Sequence, residues 1–221
     1  AAHDLQAPLR QASMFADMFQ LQLKKADIAL PESAAQSLDL MLNSMTHMRE
    51  MVKALNDMSR LEASDIQRED TDLNTVVAKA IELCELHLAD GQGEVRIQGE
   101  MPVVRANSAL LVQVFQNLIS NACKYARSKP LFIDISPTFS PHDLCHVISV
   151  RDNGVGIPED QAEAIFEPFE RLANSEGTEG SGIGLALCRR IAETLDGTLS
   201  INTSYTAGAC FVLSLPAVGE K

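Results

Sequence analysis

Positive charge is scarce in this chain. Its 221 residues carry 18 Lys and Arg against 30 Asp and Glu, a formal net charge of −12. A general nucleic-acid binder normally shows a basic footprint, so that class is excluded. Cys-x-x-Cys pairs are missing too. The five cysteines, Cys84, Cys123, Cys145, Cys188 and Cys210, stand far apart in apolar stretches. They read as small buried side chains in a reducing compartment, with no metal site. No apolar run is long enough to span a bilayer, no signal peptide is visible, and neither repeats nor low-complexity tracts occur. The chain starts at Ala1 without an initiator Met. It is therefore expected to be a cytoplasmic segment or processed product, with a sensor or anchor lying upstream and no membrane contact of its own.

Glycine, by contrast, is concentrated. Six of the twelve glycines fall between residues 154 and 184. One cluster is Asp152-Asn153-Gly154-Val155-Gly156-Ile157-Pro158, the other Gly180-Ser181-Gly182-Ile183-Gly184-Leu185. Glycine weakens ordinary elements, so this density suggests backbone bent close to a ligand. The second cluster opens directly into an apolar, helix-forming stretch from Leu185 to Ala192. Unpaired N–H groups at a helix start favour phosphate oxygens, which makes a nucleotide site the first hypothesis. Either cluster alone could equally be a pair of turns.

The first third reads as two long helices. Leu5, Leu9, Ala12, Ala16, Phe19, Leu23 and Ala26 form a heptad stripe, and Leu38, Met41, Met45, Met48, Val52 and Leu55 form a second. A break at Leu30-Pro31-Glu32-Ser33 separates them, giving an antiparallel helical hairpin. A face this broad cannot cover itself, so two chains are expected to build a four-helix bundle. Residues 64–71 are polar and break the heptads. The expected domains are therefore 1–66, the hairpin, and 67–221. In the second, Asp72 caps a helix over residues 73–89, and short strands follow near Val95–Gln98 and Val103–Arg105. A helix from Ser108 to Ala126, strands at Leu131–Phe139 and His146–Val150, a helix ending at Leu195 and a terminal hairpin complete it. Without regular βαβ alternation, the expected class is α+β, a mixed or antiparallel sheet under helices.

Two other segments carry candidate chemistry. Asn117 and Asn121 lie four residues apart, beside Lys124 and Tyr125, on a face away from the core stripe of Leu111, Phe115, Leu118 and Ala122. Asn is a mediocre helix former, so a pair at this spacing suggests a polar face turned to a ligand. A carboxamide oxygen can ligate Mg²⁺ and a Lys suits phosphate, although a solvated face would look the same. In His3-Asp4-Leu5-Gln6-Ala7-Pro8-Leu9-Arg10, His3 falls outside the heptad seam with Asp4 adjacent. A carboxylate can hold an imidazole in one tautomer and leave its other nitrogen nucleophilic.

Taken together and in order, these segments resemble the sensor histidine kinases of two-component signalling over essentially the whole chain. His3 to Arg10 resembles their phosphoacceptor box in its phytochrome-like form, and Asn117 to Tyr125 their asparagine box. Asp152 to Pro158 matches the first glycine box, Phe166-Glu167-Pro168-Phe169 the phenylalanine box and Gly180 to Leu187 the second glycine box. The resemblance implies a dimerising phosphoacceptor hairpin followed by an α/β sandwich of the Bergerat (GHKL) type that binds ATP and Mg²⁺. It also implies roles. His3 would be phosphorylated with Asp4 handling its proton, Asp152 would read the adenine amine, and Asn121 would ligate Mg²⁺. Asn117, Lys124 and Tyr125 would line the nucleotide. Gly154, Gly156, Gly180, Gly182, Gly184 and Leu185 would shape the cradle. Residues 170–181 would form a lid started by Phe166 and Phe169 and carrying Arg171. A response-regulator receiver domain would take the phosphoryl group.

Two positions refine this picture. ATP-hydrolysing relatives of the gyrase and Hsp90 type carry a Glu where this chain has Asn117, so water should be a poor acceptor here. Kinases that dephosphorylate their regulator often carry Thr or Asn where this chain has Ala7, so phosphatase activity is expected to be weak. The rival readings are a phosphorelay phosphotransferase with a non-catalytic ATP-domain scaffold, and an ATP-driven clamp that does not phosphorylate itself.

Overall fold

The computed structural model describes residues 2–26, 28, 30–63, 66–127, 129–170 and 182–217. It divides into two compact units, Ala1–Glu62 and Ala63–Lys221. The first holds helix α1 (Ala2–Lys25) and most of helix α2 (Glu32–Ala63). Lys24 and Lys25 sit in the last turn of α1, where cations favour the helix dipole. Pro31 starts α2: its carbonyl accepts from Ala34 N at 2.9 Å and Ala35 N at 3.0 Å. Ala16 and Leu38 are buried, yet Phe15, Phe19, Leu40, Met41 and Met48 remain 43–68% exposed. The hairpin thus presents a large apolar face that it does not cover.

The second unit is a mixed sheet under helices. Strand β1 (Glu69–Asp72) pairs antiparallel with β3 (Val103–Ala106) as a separate ribbon. The main sheet has the order β2-β4-β5-β7-β6, from strands Glu94–Ile97, Phe132–Ser140, Cys145–Asp152, Cys210–Pro216 and Thr198–Ile201. Among the described strands only β2 and β4 pair in parallel. Along β4, buried Ile133 and Ile135 alternate with half-exposed Phe132, Asp134 and Ser136, so one face alone is sealed. Helices α3 (Leu73–Leu83), α5 (Ser108–Lys124) and α6 (Gly184–Thr194) pack in that order through α3–α5 and α5–α6 contacts. Leu111, Phe115, Leu118, Ile119 and Ile191 are fully buried in this layer. Each such side chain contributes about 1.5–3 kcal/mol.

Caps explain the helix starts. Asp72 accepts from Asn74 N at 2.8 Å, and Asn107 accepts from Leu110 N at 3.2 Å. One expectation is corrected. The helix over residues 73–89 is two helices, because Cys84 (φ −101°, ψ 4°) leaves the helical region and α4 (Glu85–Gly91) starts anew. The re-aimed second piece buries Leu88. The last residues of the polar junction 64–71 form most of β1, with Thr71 buried and its hydroxyl on Ala106 O at 3.1 Å. Just ahead, Arg68 Nη2 donates to Thr194 O at 2.7 Å and Nη1 to Asp196, clasping the C-terminal end of α6.

Candidate functional site

The site is built around the end of β5. There Asp152 is 8% exposed, and its Oδ1 accepts from Gly154 N at 2.8 Å and Ala209 N at 3.0 Å. Burial raises its carboxyl above the ordinary value, and those two backbone donors oppose the rise. The carboxyl is thus costly to ionise yet fixed in direction by backbone. Its backbone is held as well: Asp152 N donates to Ala209 O at 3.0 Å, and the Tyr205 hydroxyl donates to Asp152 O at 3.2 Å.

Close approach, not merely freedom, requires the neighbouring glycines. A Cβ on Gly154 would come within 2.6 Å of Tyr125 O, the C-terminal cap of α5, which also accepts from Val155 N at 3.1 Å. Gly156 has φ +74° and packs on Gly208 O. The first glycine cluster is therefore seated on the end of the asparagine-bearing helix. Asn153 anchors its other side, with Oδ1 accepting from Phe132 N at 2.9 Å and Nδ2 donating to Pro130 O at 3.1 Å.

The second cluster meets the same helix. A Cβ on Gly184 would stand 3.1 Å from Asn117 Oδ1, while Asn117 Nδ2 donates to Gln113 O at 3.1 Å. Asn117 also touches Cys188 of α6, whose thiol is pushed up to about 12 by full burial and slightly back by that bond. Its carboxamide is therefore turned to the α5–α6 contact. Asn121 lies one turn onward and half-buried, Tyr125 is half-buried and Lys124 is exposed. Leu185 is half-buried in the first turn of α6.

Residues 171–181, including Arg171 and Gly180, lie outside the described residues. The chain on either side of them is tied together: Phe169 N donates to Gly182 O at 3.0 Å, with Phe169 at φ +72° and Gly182 at φ +68°. Phe169 itself is 51% exposed. Phe166 anchors the approach, being buried edge-on against Phe211 with centroids 6.5 Å apart. The Arg189 guanidinium caps its ring at 4.9 Å and bonds Glu163 at 2.9 Å. The backbone of His3 and Asp4 belongs to α1 in the other unit, and their side chains lie outside the description.

The sequence pointed to Asp152, the glycines and the asparagines; among the described residues the fold seats Gly154, beside Asp152, on the end of α5 and Gly184 on Asn117 of the same helix. It did not point to Tyr205, Gly208, Arg189 or Arg68. A glycine just before the β7 run was the one available signal for Gly208; the rest depend on contacts far apart in the chain. A Cβ on Gly154, Gly156 or Gly184 would meet protein atoms at 2.6–3.1 Å, so these glycines let the clusters seat directly on α5 and Gly208, and the N-terminal turn of α6 that starts at Gly184 suits phosphate oxygens. A lone amide oxygen at Asn121 suits a metal held mostly by those phosphates. Among the described residues no cluster of three or more His, Cys, Asp or Glu could hold a metal by itself, and no helix is long and apolar enough to cross a membrane.

Comparison with known proteins gives matching results. Residues 106–219 match the family model described as histidine kinase-, DNA gyrase B-, and HSP90-like ATPase, and residues 1–64 match the His Kinase A (phospho-acceptor) domain. Phytochrome-like protein Cph1 of Synechocystis sp. is 32% identical over 98% of this chain, which spans 28% of that protein. Sensor-like histidine kinase SenX3 of Mycobacterium tuberculosis is 32% identical over 99% of this chain and 53% of its own length. Among solved structures, full-length ShkA in complex with AMPPNP covers all of this chain and 45% of its own, with TM-score 0.72 and 20% identity, a likeness of fold. The chain therefore spans under a third to about half of the curated relatives it matches.

Proposed function

The chain belongs to the sensor histidine kinases, an ATP-dependent family whose phosphoacceptor and ATPase modules match residues 1–64 and 106–219, and on that premise we propose that it phosphorylates His3 and passes the phosphoryl group to an aspartate of a response-regulator receiver domain. The hairpin would supply the dimer interface and the acceptor. The second unit would hold ATP.

The observation that carries this reading is the setting of Asp152. A degenerate scaffold has no reason to bury a carboxylate and pin one of its oxygens with two backbone donors. With Oδ1 so occupied, Oδ2 is the oxygen we assign to the adenine amine. Gly154 and Gly156 would admit the base and ribose side of the nucleotide. Gly182 and Gly184 would admit the phosphates to the N-terminal turn of α6, where unpaired N–H groups attract oxyanions. Asn117 would brace α6 against α5. Lys124 and Tyr125 would flank the polyphosphate, with Arg171 and Gly180 assigned to the same side by sequence alone.

Asn121 is the proposed side-chain ligand of Mg²⁺, which when bound would neutralise and orient the phosphates. In the transfer, a neutral His3 nitrogen attacks the γ-phosphorus in line as the bond to the β–γ bridging oxygen breaks, releasing ADP. The second imidazole nitrogen then carries a proton that Asp4 takes up or balances. With Asn117 in place of a water-activating Glu, the phosphoryl group goes to His3 in preference to water. Ala7 offers no polar group to position water for dephosphorylating the regulator.

Labelling with radioactive ATP tests this. Wild type should form an acid-labile, base-stable phosphoprotein, and His3→Ala or Asn121→Ala should form none. Label retained by His3→Ala would overturn the acceptor assignment. Label retained by Asn121→Ala would overturn the metal-ligand assignment.

A further inference from the structure

Asp152 can read a base only if its carboxylate stays in one place, and the means of keeping it there lies outside both glycine clusters. The β6–β7 connection, residues 202–209, grips three different atoms of Asp152. Ala209 O accepts from Asp152 N at 3.0 Å, Ala209 N donates to Oδ1 at 3.0 Å, and the Tyr205 hydroxyl donates to the carbonyl oxygen at 3.2 Å. Between them Gly208 is buried so tightly that an added Cβ would lie 2.0 Å from Asp152 O and 2.8 Å from Oδ1. Its carbonyl also stands 3.1 Å from where a Cβ of Gly156 would be. The connection is itself braced: Ser204 N donates to Asn202 Oδ1 at 3.1 Å, Tyr205 N to Asn202 O at 3.2 Å, and Asn202 N to Cys210 O at 2.8 Å.

We propose that Tyr205 and Gly208 are positioning residues that set the base selectivity of the nucleotide site. This rests on the assignment of Asp152 to the base made above. Adenine offers a donor, its exocyclic amine, at the position where hypoxanthine carries a carbonyl oxygen. A carboxylate held rigidly at that position accepts from adenine and repels the carbonyl. Hypoxanthine, however, has an N–H on the adjacent ring atom. A carboxylate free to shift by a bond length can accept from that N–H instead, and discrimination falls. Selectivity therefore depends on how firmly the backbone of residue 152 is held, not only on the residue being Asp.

The test is the ratio of affinities for ATP and ITP, measured by calorimetric titration of the whole chain with Mg²⁺ present. Tyr205→Phe keeps the ring and removes one hydrogen bond, and should narrow the ATP-over-ITP preference about fivefold. Gly208→Ala should narrow it further, but its Cβ overlap with backbone can prevent folding, so Tyr205→Phe decides. A merely structural role would weaken both nucleotides in proportion, and an unchanged ratio in Tyr205→Phe overturns the proposal. Asp152→Asn separates this outcome from failure of the site itself. In that variant ATP affinity should drop to or below the level of ITP. If Asp152→Asn keeps the wild-type preference, Asp152 does not read the base at all. If it erases the preference while Tyr205→Phe keeps it, only the role of the β6–β7 connection is lost.

Discussion

Gly184, the first residue of α6, lies edge to edge with Asn117 of α5: a methyl group on the glycine would stand 3.1 Å from the Asn117 carboxamide oxygen. The second glycine cluster and the asparagine helix are therefore one contact. Asn117 cannot retreat freely, because Gln113 O holds its amide at 3.1 Å. Gly184→Ala should push Asn117 and the start of α6 apart by a few tenths of an ångström. ATP affinity should drop about tenfold, consistent with lost charge-assisted contacts to backbone N–H groups. Thermal stability should move little, since Ala regains up to about 1 kcal/mol of helix propensity. Unchanged ATP affinity in calorimetry would count against phosphates at this turn.

Phe169 and Gly182 bracket the segment between them with a hydrogen bond of 3.0 Å. In Gly182→Ala an L side chain would be held at φ +68° with its Cβ 2.9 Å from Glu170 O and Phe169 C. Backbone atoms cannot swing aside as a side-chain tip can. Urea unfolding of the nucleotide-free protein should show a loss of about 1–3 kcal/mol. A variant as stable as wild type would mean this junction is not a fixed one.

Asp152 supplies a pH-dependent prediction. Burial raises its carboxyl above the ordinary value, with the Ala209 and Gly154 amides acting against the rise. The folded protein thus binds that proton more tightly than the unfolded chain, whose carboxyl titrates near about 3.9. The penalty for ionising it is absent below the ordinary value and complete once pH exceeds the raised one. Asp152→Asn keeps an oxygen for both amide donors and cannot ionise. Without nucleotide, its melting temperature relative to wild type should therefore rise with pH across the acid range, then level off. A difference that is constant or shrinks with pH would show that the carboxylate is not strained by burial.

Phe19 lies on the uncovered heptad face of α1 and is 49% exposed. If that face closes against a second copy, Phe19→Glu should raise the dimer dissociation constant about ten- to a hundredfold, the worth of one large apolar side chain. Sedimentation equilibrium measures it. Equal dimerisation of variant and wild type would place the interface elsewhere.

The fold was legible where local pattern and tertiary demand agree. Leu111, Phe115, Leu118 and Ala122 repeat at helical spacing, and all four are buried in α5. Asp72 reads as a cap and is one. Legibility ended where a distant partner imposes the structure. Glu69-Asp70-Thr71-Asp72 has no strand-like apolar alternation, and becomes a strand because β3 lies beside it and Thr71 can bury its hydroxyl on Ala106. The break at Cys84 is invisible too, since Leu88 continues the apolar spacing across it. In the candidate site, the residues bearing obvious chemistry announced themselves. Tyr205 and Gly208 did not, being more than fifty residues from the aspartate that they hold.

Arg68, Gln67 and β1 carry a practical consequence for dissecting or rewiring this protein. Gln67 O takes a hydrogen bond from Asn107, the cap of α5, while Arg68 secures the tail of α6. A fragment cut to begin at Leu73 would lose both fastenings and leave β3 with only its isolated bridge from Val104 to Ala217. Chimeras that graft this ATP-binding unit onto another signalling stalk should therefore be spliced upstream of Gln67, carrying the short polar strap along with the unit it fastens.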